Sequence, residues 1–240
     1  MVGVLVLNGG DEFHPGNDEQ DRILASNIGN GPAYVVPTAA ARQGPEQAVA
    51  TATSWFQKFG LALHELPVLK RTDANSRELA EVAGSGGFFY LVGGDPGLVA
   101  QVLTGSRVWA AMFEAWLAGA ALAGSSAGAM ALCSHTLIRA SWPNRFNRRP
   151  AEALGVVPGT AVLPHYDTFG HKWIESAQRE LPAVTLLGID ERTAAVWRDG
   201  TWSAAGSGAI TVIKGSDTRS FRSGEQIEGL AGPVRILPQQ

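Results

Sequence analysis

Around Ser126 the chain reads AGSSAGAM, an apolar run interrupted by two adjacent hydroxyls and flanked by glycines at 124 and 128. Gly124, Ser126 and Gly128 fit the spacing G-x-S-x-G, in which a strand turns sharply into a helix and lifts a serine hydroxyl into a cleft. The helix start that follows aims the backbone N–H of Ala127 at a developing oxyanion. Gly, Ala and Ser are common residues and the same pattern also serves as a packing turn, so it has to be judged by its partners. A serine hydroxyl is a poor nucleophile until a positioned base takes its proton.

Downstream of Ser126 stand His135, His165 and His171. His135 follows the expected elbow helix closely and reads as a residue that caps or solvates it. His165 ends the apolar run AVLP and would project from the same carboxyl edge as the elbow, whereas His171 opens the next helix and reads as a surface residue. The base in turn needs a carboxylate to fix its tautomer and stabilise the imidazolium. Asp167, Asp190 and Glu191 are the candidates, and spacing slightly favours the last two, which end the apolar run TLLGID. The order is then Ser, His, acid. The α/β-hydrolases run Ser, acid, His, and here no histidine follows His171 to fill that last place. A metal set of His165, Asp167 and His171 is a weaker reading, because a strand end and a helix start would have to meet. No Cys/His zinc spacing is present, and no metal or organic cofactor is expected.

The elements that must carry these groups are apolar, β-branched runs at VGVLVL, AYVVP, LALHELPVL, GFFYLVGG and AALAGSS, alternating with stretches of helical spacing such as DEQDRILASNI and SRVWAAMFEAWLAG. Strict strand–helix alternation predicts a doubly wound, mostly parallel α/β sheet with helices on both faces. Reactive groups in such sheets sit in loops beyond the carboxyl ends of the strands, and three glycine-bearing turns qualify: LNGGDEF, LVGGDPG and AGSSAGAM. Towards the C-terminus AAVWRDGTWSAAG and TRSFRSGEQI predict antiparallel hairpins turning at Asp199-Gly200 and Ser223-Gly224. No linker divides the chain, so residues 1–240 are expected to form one domain.

With 240 residues, a formal net charge of -3 and a pI near 6.0, the chain is large enough for a substantial core and has no global attraction to nucleic acid or to anionic membranes. The N-terminal apolar run is too short for a signal peptide or a membrane span, which makes a cytoplasmic address the default. Cys133, the single cysteine, excludes an internal disulfide and suits a reducing compartment. Arg139, Arg145, Arg148 and Arg149, with Trp142 and Phe146 between them, form either a basic patch for an acidic ligand or, more in keeping with arginine-rich loops, a solvated segment. Trp109, Trp116 and Trp173 suit a homodimer face as well as a core.

In four places the chain resembles the peptidase E and cyanophycinase group of serine peptidases, family S51, on the class I glutamine-amidotransferase-like fold: FFYLVGGDPGLVAQVL, AGSSAGAM, VLPHYD and GIDERTA. The resemblance implies a three-layer αβα sandwich with C-terminal antiparallel hairpins. Position by position, it implies Ser126 as nucleophile, His165 as general base and then acid, and Glu191 as the third member. It also implies Gly94 and Ala127 as oxyanion donors, with Asp95 and Tyr166 on the substrate side. For Asp95 a helix N-cap ahead of PGLVAQVL is an equally good reading, and both can hold. The substrate expected from the resemblance is a small peptide, Asp-Xaa dipeptides among them. The arginine with which peptidase E reads an acidic residue has no clear counterpart in HKWIESAQRE, and Lys172, Arg179 or the arginines of residues 139 to 149 are the candidate substitutes. Two other readings use the same residues: a non-catalytic small-molecule-binding protein on this fold, and an esterase or amidase for non-peptide acyl groups.

Overall fold

The computed structural model describes residues 1–140 and 147–237, so Trp142, Arg145 and Phe146 lie outside the described residues. In chain order the elements are β1 (Leu5–Asn8), α1 (Asp18–Ser26), β2 (Ala33–Val36), α2 (Pro45–Phe56), β3 (Leu63–Glu65), α3 (Arg71–Ala74), α4 (Arg77–Gly84), β4 (Phe88–Leu91), α5 (Pro96–Leu103) and α6 (Arg107–Leu117). There follow β5 (Ala121–Ser125), α7 (Ala127–Leu132), β6 (Cys133–Arg139), β7 (Arg148–Glu152), β8 (Val157–Leu163), α8 (Ile174–Glu180), β9 (Thr185–Ile189), β10 (Thr193–Arg198), β11 (Thr201–Gly206), β12 (Ala209–Lys214) and β13 (Asp217–Arg222).

The fold is α/β with two mixed sheets rather than one. The first has the order β11-β10-β1-β5-β4-β2-β3, parallel from β1 to β3 with the β10–β11 hairpin as an antiparallel edge. Its inner strands β1, β5, β4 and β2 are buried at every residue, which is why they read as continuous apolar runs. Leu5, Leu7 and Leu122 point into one core, and Val4, Val6, Ala121 and Ala123 into another that also takes Leu24 of α1 and Trp55 and Phe56 of α2.

The second sheet, β13-β12-β9-β8-β6-β7, corrects the single-sheet expectation: the runs that end at His165 and Asp190 belong here, not to the sheet that carries Ser126. Its first strand is hidden because the elbow helix α7 lasts only six residues and β6 begins at once with Cys133. His135 is therefore a strand residue, not a helix cap. The Asp199-Gly200 hairpin forms as expected between β10 and β11. The second hairpin is instead β12–β13, with its turn at Gly215-Ser216. Ser223-Gly224 turns the chain back along β11, where Gly224 N–H donates to Ala204 O and Ala204 N–H to Glu225 O.

Local chemistry explains the helix starts. Ser76, Asp95 and Ser106 each accept a backbone N–H from the first turn of α4, α5 and α6, and Pro45 and Pro96 stand at first-turn positions where no N–H is needed. Trp109, Trp116 and Trp173 are 2%, 1% and 3% exposed, so they build the core and none presents a dimer face. No helix among the described residues is long and apolar enough to cross a membrane.

Gly128 fixes how α7 lies on the first sheet. A Cβ added there would stand 2.2 Å from the carbonyl oxygen of Leu91 and 2.9 Å from its Cβ, so helix and strand could not keep their spacing. Gly128→Ala should cost about 1–3 kcal/mol or more as overpacking against a rigid backbone, lowering Tm by roughly 2–4 °C for each kcal/mol. A calorimetric scan of the variant checks this, and an unchanged Tm would show that α7 can shift freely.

Candidate active site

Ser126 follows β5 at the sharp turn into α7 and has φ 48 and ψ −108, a conformation a non-glycine residue holds only where the surroundings impose it. The parallel register sets Asn8 of β1 and Ser125 of β5 side by side, and Leu91 of β4 opposite Gly124. Three turns therefore leave the same edge together: Gly9-Gly10, Gly93-Gly94 and Ser126.

His165 and the carboxylate arrive from the second sheet, after β8 and β9. Backbone hydrogen bonds tie the loops after β8 and β9 to the Gly9-Gly10 turn: His165 N–H donates to Gly9 O at 2.8 Å and Arg192 N–H to Gly10 O at 3.0 Å, while Gly9 N–H donates to Thr193 O at 2.9 Å and continues the β1–β10 pairing of the first sheet. The close approach needs glycine. A Cβ on Gly9 would lie 2.1 Å from Asp190 O, and one on Gly10, where φ is +118, would lie 2.4 Å from the His165 ring. Phe169 stacks on that ring, 4.8 Å between centroids and 20° from parallel.

Across this junction the side chains converge. Ser126 Oγ is 3.2 Å from His165 Nε2, and His165 Nδ1 is 2.7 Å from Glu191 Oε1. A carboxylate can only accept, so Nδ1 carries the proton and Nε2 is left free to accept from the serine hydroxyl. Of the three candidate acids, only Glu191 reaches the ring. Asp167 Oδ1 accepts the Glu191 backbone N–H at 3.1 Å, and Thr168 Oγ1 donates to Glu191 Oε1 at 3.3 Å, so both hold the glutamate in place. Asp190 turns away to accept Ala209 N–H at 2.8 Å, and burial raises its carboxyl above the usual range.

The other expected site residues separate. Gly94 lines the cleft beside Ser126. Ala127 is the first residue of α7, where a backbone N–H has no partner within the helix. Asp95 caps α5, with Oδ1 accepting Gly97 N–H at 2.9 Å and Leu98 N–H at 3.3 Å. The Tyr166 ring packs on Gly188 and lies outside the cleft lining. His171 Nδ1 donates to Tyr166 O, so His165, Asp167 and His171 do not converge as a metal set. Among the described residues no group of three or more His, Cys, Asp or Glu side chains could hold a metal ion. Arg179 pairs with Glu180 at the surface, and the Arg148 guanidinium stacks 4.3 Å over the Trp173 ring, partly desolvated.

Glu12 is the residue that sequence reasoning passed over. Its Oε1 accepts Gly93 N–H at 3.0 Å and its Oε2 accepts the Ser125 hydroxyl at 2.9 Å, so one carboxylate ties the N-terminal turn to the other two. Ser125, the neighbour of Ser126 in the pair of adjacent hydroxyls, is thus a strut. The signal available was the LNGGDEF turn itself, which carries two carboxylates directly after its glycines. Beneath this layer lies a buried polar group of Asn8, Tyr90, Asp21 and Trp55. Asn8 Nδ2 donates to the Tyr90 hydroxyl at 3.3 Å, and Trp55 Nε1 donates to Asp21 Oδ2 at 2.8 Å.

A family model for peptidase family S51 matches residues 5–204. The chain belongs to peptidase family S51. It is a serine-type peptidase, and its similarity to solved structures spans nearly its whole length. A peptidase from an acI-B1 actinobacterium is 32% identical, with a TM-score of 0.81 over 95% of this chain and 97% of that one. A candidate peptidase E from Listeria monocytogenes EGD-e is 19% identical, with a TM-score of 0.57 over 92% of this chain and 99% of that one, a likeness of fold. Comparison with curated proteins finds none that matches.

Proposed function

We propose that this S51 peptidase hydrolyses short peptides, in the manner of a dipeptidase, through a Ser126-His165-Glu191 triad and an acyl-enzyme. Ser126 Oγ attacks the scissile carbonyl carbon while His165 Nε2 takes the hydroxyl proton, and Glu191 stabilises the imidazolium through Nδ1–H. The carbonyl oxygen gains the negative charge of the tetrahedral intermediate and is met by the N–H groups of Gly94 and Ala127. As the C–N bond breaks, His165 returns its proton to the departing amine. Water then repeats the cycle on the ester, with His165 again as base, and releases the acid and free Ser126.

The observation that carries this reading is the unbroken relay from Ser126 Oγ to Nε2 at 3.2 Å and from Nδ1 to Glu191 at 2.7 Å, which a non-catalytic binding protein has no need to maintain. A cleft of about 450 Å³, open at Gly93, Gly94, Ser126 and His165, matches a short peptide in size. We read the seven-stranded sheet with its covered faces as the three-layer sandwich of the amidotransferase-like class, and the buried lone Cys133 as suited to the cytoplasm. The expectation of an N-terminal aspartate finds no cation among the described residues of the cleft lining, which include neither lysine nor arginine.

The test is covalent. A fluorophosphonate should label the wild-type protein and not Ser126→Ala, with mass spectrometry placing the adduct on Ser126. Labelling of the variant at the wild-type level would remove Ser126 from the role.

A further inference from the structure

The cleft around Ser126 is negatively charged, and its two carboxylates differ in how they are compensated. Asp11 is neutralised from outside by Arg192, whose Nε lies 2.6 Å away, and His14 Nδ1 stands 3.2 Å from its other oxygen. Glu12 has only the neutral donors of Gly93 and Ser125, and no cation within ion-pair distance among the described residues. It also stands beside the proposed nucleophile: a Cβ built on Gly93 would lie 2.8 Å from Glu12 Oε1 and 3.5 Å from Ser126 Cβ. The carboxylate and the reacting serine thus flank a single glycine.

A partly buried carboxylate without a cation is expensive to maintain and attracts one. Two oxygens offer about four lone-pair sites, and Gly93 and Ser125 occupy one each, so acceptor capacity remains towards the cleft. Elsewhere in the lining Gln43, Gln47 and Thr51 are neutral, and the imidazoles of His14 and His165 face Asp11 and Glu191 instead.

We infer that Glu12 is a specificity-determining residue that binds the α-ammonium of the substrate's N-terminal residue and turns away acidic side chains. This rests on Ser126 being the nucleophile, because only then does a carboxylate one glycine away from it meet an α-ammonium two bonds from the scissile carbonyl carbon. The substrate class is then a peptide or aminoacyl amide with a free N-terminus and a neutral or basic first residue. The same carboxylate braces the Gly93-Gly94 turn, so removing its charge acts on all substrates to some degree. What identifies the ammonium contact is the part of the loss that depends on the substrate's charge.

The experiment compares kcat/KM for alanyl, N-acetylalanyl, Nα-acetyllysyl and aspartyl p-nitroanilides in the wild type and in Glu12→Gln, with fluorophosphonate labelling of both proteins run alongside. The wild type should prefer alanyl over N-acetylalanyl by about 10–100-fold, the size of one charge-assisted hydrogen bond, and should cleave the aspartyl substrate worst. In Glu12→Gln the alanyl preference should shrink to about threefold or less, whatever loss the two substrates share. Equal preferences in the two proteins overturn the inference, as does a Glu12-dependent preference found only with the side-chain ammonium of Nα-acetyllysyl. Should the variant not fold, the wild-type preference must itself weaken as salt is raised to about 1 M, and a salt-independent preference overturns the inference as well. Absence of labelling in the wild type strikes the serine assignment instead, separately from the charge preference.

Discussion

His165→Ala should lower kcat by about 10⁴-fold or more on any amide the wild type cleaves, with KM changed far less, because the imidazole is asked to act only while bonds are being made and broken. A loss of that size corresponds to about 5.5 kcal/mol of transition-state stabilisation. The reason lies in the relay: Nε2 is the single base within 3.2 Å of Ser126 Oγ among the described residues, and its orientation is fixed by Glu191 at Nδ1, by the stacked Phe169 ring and by the close approach of Gly10. Serine and imidazole act as a unit, so Ser126→Ala combined with His165→Ala should fall little below either single variant. Single-turnover kinetics on an aminoacyl p-nitroanilide give the chemical step directly. A loss under tenfold for His165→Ala, or full additivity in the double variant, would sink the triad. Far-UV circular dichroism and Tm on the same samples separate loss of chemistry from loss of fold.

The relay shows what a sequence of this kind reveals and what it conceals. The G-x-S-x-G turn was legible because its chemistry is local: a strained serine at φ 48 requires small neighbours, and Gly124 and Gly128 announce them. The strand-end histidine and acid were legible as a set for the same reason. Their choice among Asp167, Asp190 and Glu191 was not a local matter, since three carboxylates within one stretch of chain differ only in where the fold aims them. One reaches the ring, one holds that residue's backbone, and one turns to the Ala209 N–H.

Division into two sheets was concealed by the same lack of long-range information. An apolar run ending in a functional residue looks identical whether its strand pairs with β5 or with β9, and periodicity carries no record of the partner. The boundary at Cys133 is masked further, because α7 is built from Ala, Gly, Met and Leu and runs into β6 with no capping or turn residue between them. Glu12 escaped notice because it contacts Gly93 and Ser125, 81 and 113 residues away, through a glycine pair whose role becomes visible only when His165 packs on it. Trp109 and Trp116 sit on the buried side of α6, a choice between core and surface that helical spacing alone leaves open.

Stability should fall between about pH 4 and pH 7 by an amount that Asp21→Asn removes. Asp21 is fully buried on α1, it accepts one hydrogen bond, from Trp55 Nε1, and its Oδ1 has no partner. Burial pushes its carboxyl from the ordinary 3.8 up to about 7, and the neighbouring carboxylates of Asp18 and Glu12 push in the same direction against the indole bond. The sign follows from proton binding. Between the two values the folded chain holds a proton that the unfolded chain has released, so each step up in pH favours unfolding. Below about pH 4 both states are protonated, above about pH 7 both are ionised, and the full penalty of about 4 kcal/mol stands from there upward. Asparagine keeps an acceptor for the Trp55 indole and has no charge to desolvate. In Asp21→Asn, chemical denaturation at pH 5 and pH 8 should therefore show a markedly smaller difference in unfolding free energy than in the wild type, with the variant the more stable protein at pH 8. Equal differences would mean that Asp21 is not the group responsible. The ionised carboxylate lies in the same electrostatic neighbourhood as Glu12 and Tyr90, directly beneath the turns that carry the proposed nucleophile and oxyanion donors. Relieving it stabilises the floor of the cleft without touching a residue assigned to the chemistry.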